Sequence, residues 1–279
     1  MMQDTITDLP DLAQDYPLTS EQVTRYQRDG HILLRCVASA AEVAAYRPHI
    51  SGAAMRYSTE TRPLHERNTY GRAFLQVINL WERDEAVRLF VLARRFGKIA
   101  ADLMGVDGMR LFHDQALYKE PGGGFTPWHQ DQIYWPLDTE NTITMWMPLV
   151  DIPADVDSMT FVTGSHTLDY QSMLSISDES EEVLQTYVES HNLPHSTYGA
   201  MAAGDATFHA GWTMHRAPGN PTTIMREVMT IIYFADGAHL LEHPHPLQEG
   251  DFVWFPGCKP GDVAAGPRTP LVYKRSGDR

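Results

Sequence analysis

Cysteine is scarce: the chain has two in 279 residues, Cys36 and Cys258. Two thiols cannot make a disulfide framework or an all-thiolate metal site, so any metal would be held mainly by histidines and carboxylates, and a reducing, cytoplasmic setting is expected. Positive charge is also in deficit, with 22 Lys and Arg against 36 Asp and Glu and a net charge of −14. No basic run offsets it, so neither a nucleic acid nor an anionic membrane surface is an expected partner. Long apolar runs are missing. The longest stretches break at a charge or glycine well short of the ~20 residues of a membrane span, and the N-terminal MMQDTITDLPDLAQDYP is acidic and lacks the apolar core of a signal peptide. Repeats, low-complexity tracts and Gly/Ser linkers are absent as well, which favours one domain over residues 1–279. Hydrophobic side chains make up 43% of the chain, enough to bury a full core and to exclude a disordered protein.

The texture changes along the chain. Residues 15–105 read as mainly helical: Thr19 with Gln22 and Ser39 with Glu42 have capping-box spacing, Gly30 suits a helix stop after SEQVTRYQRD, and ERDEAVRLFVLARRFGKIAADLMG has helical apolar periodicity ending at a glycine. From 108 to 235 the pattern is short runs rich in β-branched and aromatic residues, MRLFHDQALYK, NTITMWMPLVD, SMTFVTG, DATFHA and REVMTIIYFA, separated by turn clusters such as PGGGFTP, PADVD and APGNPTT. This predicts an α+β protein with an antiparallel sandwich or jelly roll and helices packed outside it. Residues 168–203 interrupt the strand rhythm with polar, acidic sequence and read as a lid or a solvated excursion. Residues 236–279 read as an irregular tail.

The strongest chemical constellation is WHQDQ at 128–132. His129 and Asp131 are two residues apart on a strand or its end, so both side chains leave the same face and can share one ion. DATFHAGWTMHRAPGN offers His209 and His215 as a third ligand. Two imidazoles and one carboxylate on one face of an octahedral ion leave three positions open, the arrangement of non-haem Fe(II) oxygenases.

His129-Gln130-Asp131, GSH at 164–166, FHAGWTMHRAPGN at 208–220 and Arg226, together with AFLQVINLW at 73–81, read as helical, and DQALYKEPGGGFTPWHQD at 114–131, resemble the phytanoyl-CoA dioxygenase-like family of Fe(II)/2-oxoglutarate oxygenases. The resemblance covers most of residues 15–235, and within the family it points to bacterial members that tailor secondary metabolites, anthracycline-type antibiotics among them. It implies a double-stranded β-helix, a cupin-like jelly-roll barrel with flanking helices. It also implies Fe(II), 2-oxoglutarate as cosubstrate and O2. His129, Asp131 and His215 match the family's metal triad; the second histidine stands eleven residues before the cosubstrate arginine, which His215 satisfies and His209 does not. Arg226 matches the clamp on the distal carboxylate of 2-oxoglutarate, and Trp146 matches an aromatic beside it. Several members carry a hydroxyl residue two positions after the second metal histidine; here that position is Ala217, so Thr144, on the same strand face as Trp146, is expected to partner the carboxylate, with Gln115 as a further contact. The reactions implied are hydroxylation, epimerisation, desaturation or oxidative cyclisation of a small to medium organic substrate. Halogenation fits poorly because Asp131 fills the position a halide would need. A homo-oligomer is compatible with all of this.

Other features carry less. HLLEH at 239–243 matches an inverted zinc-peptidase motif, which makes a zinc hydrolase built on His239 and His243 the rival enzyme; Gly237 before it and PHP after it leave little chain for the required helix. A catalytically dead jelly roll acting as a binding module is the non-enzymatic rival. PGGGFTP lacks the Lys-Ser/Thr ending of a P-loop and reads as a turn or pocket rim. Tyr170, Met173 and Tyr187 are expected mostly to pack the 168–203 segment down. The cluster holding Arg62, His65, Arg67 and Arg72 is either a solvated loop or a source of substrate contacts.

Overall fold

A computed structural model of the chain describes residues 8–275, apart from 155 and 157. The first seven residues, part of the segment expected to lack a signal peptide, and two aspartates of the PADVD turn therefore lie outside the described residues. In chain order the elements are α1 (Ser20–Asp29), β1 (His31–Leu34), α2 (Ala40–Tyr57), α3 (Thr69–Ala73), β2 (Leu75–Ile78), α4 (Glu85–Val91), α5 (Arg94–Met104), β3 (Gly108–Lys119), β4 (Thr126–His129), β5 (Thr142–Pro148), β6 (Thr160–Val162), α6 (Asp178–Ser190), β7 (His195–Thr197), β8 (Ala206–Ala210), β9 (His215–Ala217), β10 (Arg226–Ala235), α7 (Pro246–Glu249) and β11 (Leu271–Lys274).

Local chemistry explains the helix ends. Thr19 accepts from the Gln22 N–H while the Gln22 side chain returns to Thr19, and Ser39 and Glu42 do the same for α2. Gly30 ends α1 with φ 78°, a left-handed turn that a Cβ would oppose. Three expectations need correction. The single helix expected over 82–105 is two, α4 and α5, broken at Leu92 and Ala93. AFLQVINLW is not one helix: Ala73 ends α3, Leu80 and Trp81 open a 3-10 turn, and between them Leu75–Ile78 form β2 on β3, where β-branched and long side chains fit a half-buried pleat. The C-terminal tail contributes β11, which also pairs with β3.

The strands form two antiparallel sheets, a jelly roll. One has the order β1-β8-β5-β10-β3-β11 with β2 also on β3, and the other the order β4-β9-β6-β7. Alternation divides the large sheet into two faces. Ile143, Met145 and Met147, Phe208, and Met229, Ile231 and Tyr233 turn outward into the main core with Tyr46 and Ile50 of α2, Phe90 of α4 and Phe96 and Ile99 of α5. Thr144, Trp146, His209, Arg226, Val228, Thr230 and Ile232 turn inward onto a cavity. In β3 the phase changes midway: the register with β10 slips at Ile232/Tyr233, so that Ile232 faces His113 and Tyr233 faces Leu111. Phe112 is the extra residue. Because of this bulge Met109 and Leu111 join the helix-side core, while His113, Gln115, Leu117 and Lys119 line the cavity.

The 168–203 segment is not a solvated excursion. α6 packs Leu184 and Val188 with Trp128, Val162 and Met214, and Tyr170 and Tyr187 stack at 3.8 Å on the same cluster. Glu181 accepts from the Trp128 N–H (2.7 Å) and Gln185 from its indole (2.6 Å), so the helix is fastened to β4. Among the described residues no helix is long and apolar enough to cross a membrane.

Candidate active site

The inward faces of the two sheets enclose a cavity of about 280 Å³. β4 carries His129 to its wall, and Gln130 keeps the chain extended (φ −124°, ψ 131°) before a short 3-10 helix begins at Asp131. Two residues of extended backbone put His129 and Asp131 on one side and send Gln130 the other way. There Gln130 is fully buried, donating to the carbonyls of Tyr170 and Trp212 and accepting from the Ser172 N–H. His215 opens β9 directly opposite His129 in register.

The three side chains are set up as ligands. His129 Nδ1 bonds the Pro127 carbonyl (2.7 Å) and His215 Nδ1 the Thr213 carbonyl (2.9 Å). A carbonyl only accepts, so each Nδ1 carries the proton and each Nε2 presents a lone pair. The Nε2 atoms lie 3.6 and 3.8 Å from Asp131 Oδ1, and the ligand atoms of the trio all fall within 4.8 Å of one another. This spacing, with second-sphere hydrogen bonds already in place, fits a divalent ion of the iron type. Burial pushes both imidazoles down to about 4, helped by His215 at His129 and by His209 at His215, so both are neutral at pH 7. Burial opposes ionisation of Asp131, but the surrounding imidazoles, His215 first, outweigh it and hold the carboxyl well below the usual range.

The other oxygen of Asp131 is occupied. Oδ2 accepts from Thr144 Oγ1 (2.9 Å) and faces His209 Nε2 (3.2 Å). This corrects the expectation for Thr144. Its hydroxyl is committed to Asp131, and in the sheet register it stands at Ile232, six residues from Arg226, or about 20 Å along the strand. It positions the aspartate and cannot reach a carboxylate clamped by Arg226. His209 lies against Asp131 from behind, in contact with Phe161.

Arg226 is 7% exposed, and its Nε and Nη1 are buried without a partner among the described residues. Its neighbour Glu227 points to the other face and pairs with Arg47 and Ser51. The guanidinium lies 5.7 Å from the centroid of the Trp146 ring, and burial lowers it to about 10, leaving it charged. Beside it in register is Lys119, buried, donating to the Gly124 carbonyl (2.6 Å). Burial, then the charge of Arg226, push this amine down to about 6. A buried cation with two orphaned nitrogen donors, beside a buried amine whose protonation an anion would restore, specifies an anion. Trp146 and Gln115 line the same cavity, as does Ala217.

Several lining residues stand outside the set expected from the sequence. Tyr70 and Phe74, rather than the arginines around them, reach the cavity; Arg67 is buried against Glu120, and Arg62 pairs with Glu60. His113 was available from strand periodicity, two residues before Gln115. Asp251 and Trp254 come from the C-terminal segment, where no periodic signal pointed inward. HLLEH forms no helix: His239 and Leu240 make isolated bridges to Val263 and Leu137, and His239 and His243 are both exposed.

No curated protein matches the chain. Solved structures do. The non-heme alpha ketoglutarate dependent carbocyclase SnoK from nogalamycin biosynthesis aligns at 26% identity and TM-score 0.74, over 91% of this chain and 96% of that one. The epimerase SnoN in complex with Fe3+, alpha ketoglutarate and nogalamycin RO aligns at 27% identity and TM-score 0.73, over 90% and 97%. EctD from S. alaskensis with 2-oxoglutarate and 5-hydroxyectoine, at 18% identity and TM-score 0.66 over 96% and 93%, shares the fold. The profile of the phytanoyl-CoA dioxygenase (PhyH) family matches residues 26–228, and the chain belongs to that family.

Proposed function

We propose that the protein is a non-haem Fe(II)/2-oxoglutarate-dependent oxygenase that tailors a small to medium organic metabolite in the cytoplasm. The observation that carries this reading is the juxtaposition in one cavity of a neutral His, Asp, His trio and a buried arginine with two free donors. Membership of the PhyH family and the likeness to two enzymes of nogalamycin biosynthesis support the same chemistry and favour secondary metabolism.

His129 Nε2, Asp131 Oδ1 and His215 Nε2 would hold the metal. When bound, Fe(II) with 2-oxoglutarate supplies dioxygen activation coupled to oxidative decarboxylation, yielding succinate and CO2 while a substrate C–H bond is oxidised. The chain's own contributions are positional. The Pro127 and Thr213 carbonyls lock both histidine tautomers. Thr144 and His209 hold Asp131 Oδ2, leaving Oδ1 to face the histidines. Arg226 offers a planar fork to the distal carboxylate of the cosubstrate, and Trp146 backs the guanidinium. With Thr144 committed elsewhere and Ala217 lacking a hydroxyl, Lys119 supplies the second positive group at that carboxylate, and the arriving anion would restore its protonation. Gln115, between this end and the metal end of β3, contacts the cosubstrate's middle. Hydroxylation, epimerisation, desaturation and ring closure share this machinery and differ in how the substrate is held.

Anaerobic titration of the apo-protein with Fe(II) and then 2-oxoglutarate tests the reading by the weak visible charge-transfer band of the chelate. The band is expected in the wild type and lost in His215→Ala. Its absence from the wild type would refute the assignment.

A further inference from the structure

The cavity is electrically polar along its length, and the groups beyond the metal ligands, at the end away from Arg226, have no use in the reading above. Arg226 and Lys119 stand at one end of the β10–β3 pair. His113, six residues along β3 from Lys119 and so about 20 Å away, marks the other end, and its ring packs against Trp254 at 5.7 Å between centroids. Trp254 closes the short 3-10 helix Gly250–Trp254, in which residues three apart lie one above the other, so Asp251 shares its inward face. Both line the cavity, with Tyr70 and Tyr134.

This end is built around a carboxylate that no cation answers. Asp251 forms no salt bridge among the described residues, and the cation that lies over the Trp254 ring, Arg268, is committed to Glu82 through two hydrogen bonds. Burial pushes the Asp251 carboxyl up to about 7, the Trp254 side chain offsetting part of that. One further polar atom here, His113 Nδ1, is buried without a partner among the described residues. His113 is 4% exposed and pushed down to about 3 by burial, so it is a neutral hydrogen-bonding group that cannot itself balance Asp251. A carboxylate in an aromatic-walled cavity is stabilised by a cation that brings its own apolar shell.

Resting on the oxygenase reading, we propose that Asp251, with His113 and the aromatic wall of Tyr70, Tyr134 and Trp254, is a substrate-binding site for a protonated amine, so that the substrate class is a small basic organic molecule entering amine first into the acidic end. The cosubstrate carboxylate and the substrate ammonium would then occupy opposite ends of one cavity, each repelled from the other's place. This fixes orientation as well as affinity.

The test uses benzylammonium and its neutral isostere benzyl alcohol, titrated calorimetrically into the full chain loaded anaerobically with Fe(II) and 2-oxoglutarate at about pH 8, where carboxyl and amine are both charged. Benzylammonium is expected to bind about tenfold tighter or more, the discrimination of one buried charge-assisted contact. The preference should vanish in Asp251→Asn, persist in Asp251→Glu, and leave the chelate band of both variants intact. Failure of benzylammonium to bind, equal affinity for the two probes, or a preference that survives Asp251→Asn overturns the proposal. A wild type without the chelate band would instead sink the oxygenase reading on which it rests.

Discussion

Replacing Arg226 with methionine should move stability and cosubstrate affinity in opposite directions. The guanidinium is 7% exposed, still charged, and has two buried N–H groups unmatched among the described residues. Each unsatisfied donor costs about 1–3 kcal/mol, and more on a charged group. Methionine keeps most of the apolar stem and the contact with Trp146 while removing the charge; what is lost is a cation–π contact at 5.7 Å, worth about 0.5–2 kcal/mol. The net expectation is an apo-protein stabilised by about 1–3 kcal/mol, a rise in Tm of several degrees for a chain of this size. The same change deletes the charge-assisted fork. Truncating one partner of a buried charge pair costs about 2–5 kcal/mol, so the Kd for 2-oxoglutarate should rise by roughly thirty-fold to several thousand-fold. Thermal unfolding, once with chelator alone and once with Mn(II) and 2-oxoglutarate in place of the chelator, reads both effects: the variant should melt higher alone and gain little from the cosubstrate, whereas the wild type gains RT ln(1 + [L]/Kd). A variant that melts lower alone and is still stabilised by 2-oxoglutarate would show that Arg226 is a structural cation and that the anion binds elsewhere.

His215→Ala should lose Fe(II) binding while keeping a native circular dichroism spectrum, and His209→Ala should retain binding; the reverse pattern would move the third ligand to His209. Thr144→Val removes the hydroxyl that holds Asp131 Oδ2 and should weaken Fe(II) affinity about 10- to 100-fold without altering 2-oxoglutarate affinity at saturating metal; a changed cosubstrate affinity would return Thr144 to the carboxylate. The apo-protein should lose stability as pH falls from about 6.5 towards 4. His31, His129 and His215 are lowered by burial to about 4 and His113 to about 3, so in that window their unfolded forms bind protons that the folded ones do not; these four rings outnumber Asp114 and Asp251, which burial raises to about 7 and which act in the opposite sense. A Tm that stays flat from pH 6.5 to 4.5, measured with chelator present, would contradict the neutral, buried state of these rings.

Much of the site was legible because its key residues are local in the chain. His129 and Asp131 meet through backbone period alone, and the helix caps at Thr19 and Ser39 are closed within four residues. His215 and Arg226 needed the family resemblance, since nothing in their spacing separates a ligand from His209 or a clamp from a surface salt bridge. Thr144 was placed on the correct face of β5 and given the wrong partner, because a strand pattern reports direction and not the position along the neighbouring strand. β2 was misread because a four-residue apolar strand and a helical turn look alike until β3 supplies its hydrogen bonds.

The sequence by itself determined the metal chemistry on offer, two imidazoles and a carboxylate with almost no thiol, and the alternation that gives each long strand a core face and a polar face. Only the tertiary structure decided which polar groups share the cavity. The bulge at Phe112 turns His113, Gln115, Leu117 and Lys119 inward together, the fold brings Trp254, with Asp251 beside it, against His113 from more than a hundred residues along the chain, and Asp131 acquires His209 and Thr144 from two different strands. The physical reason is range: backbone periodicity acts over a few residues, whereas burial without water and the pairing of charges depend on whatever the chain places within a few ångströms.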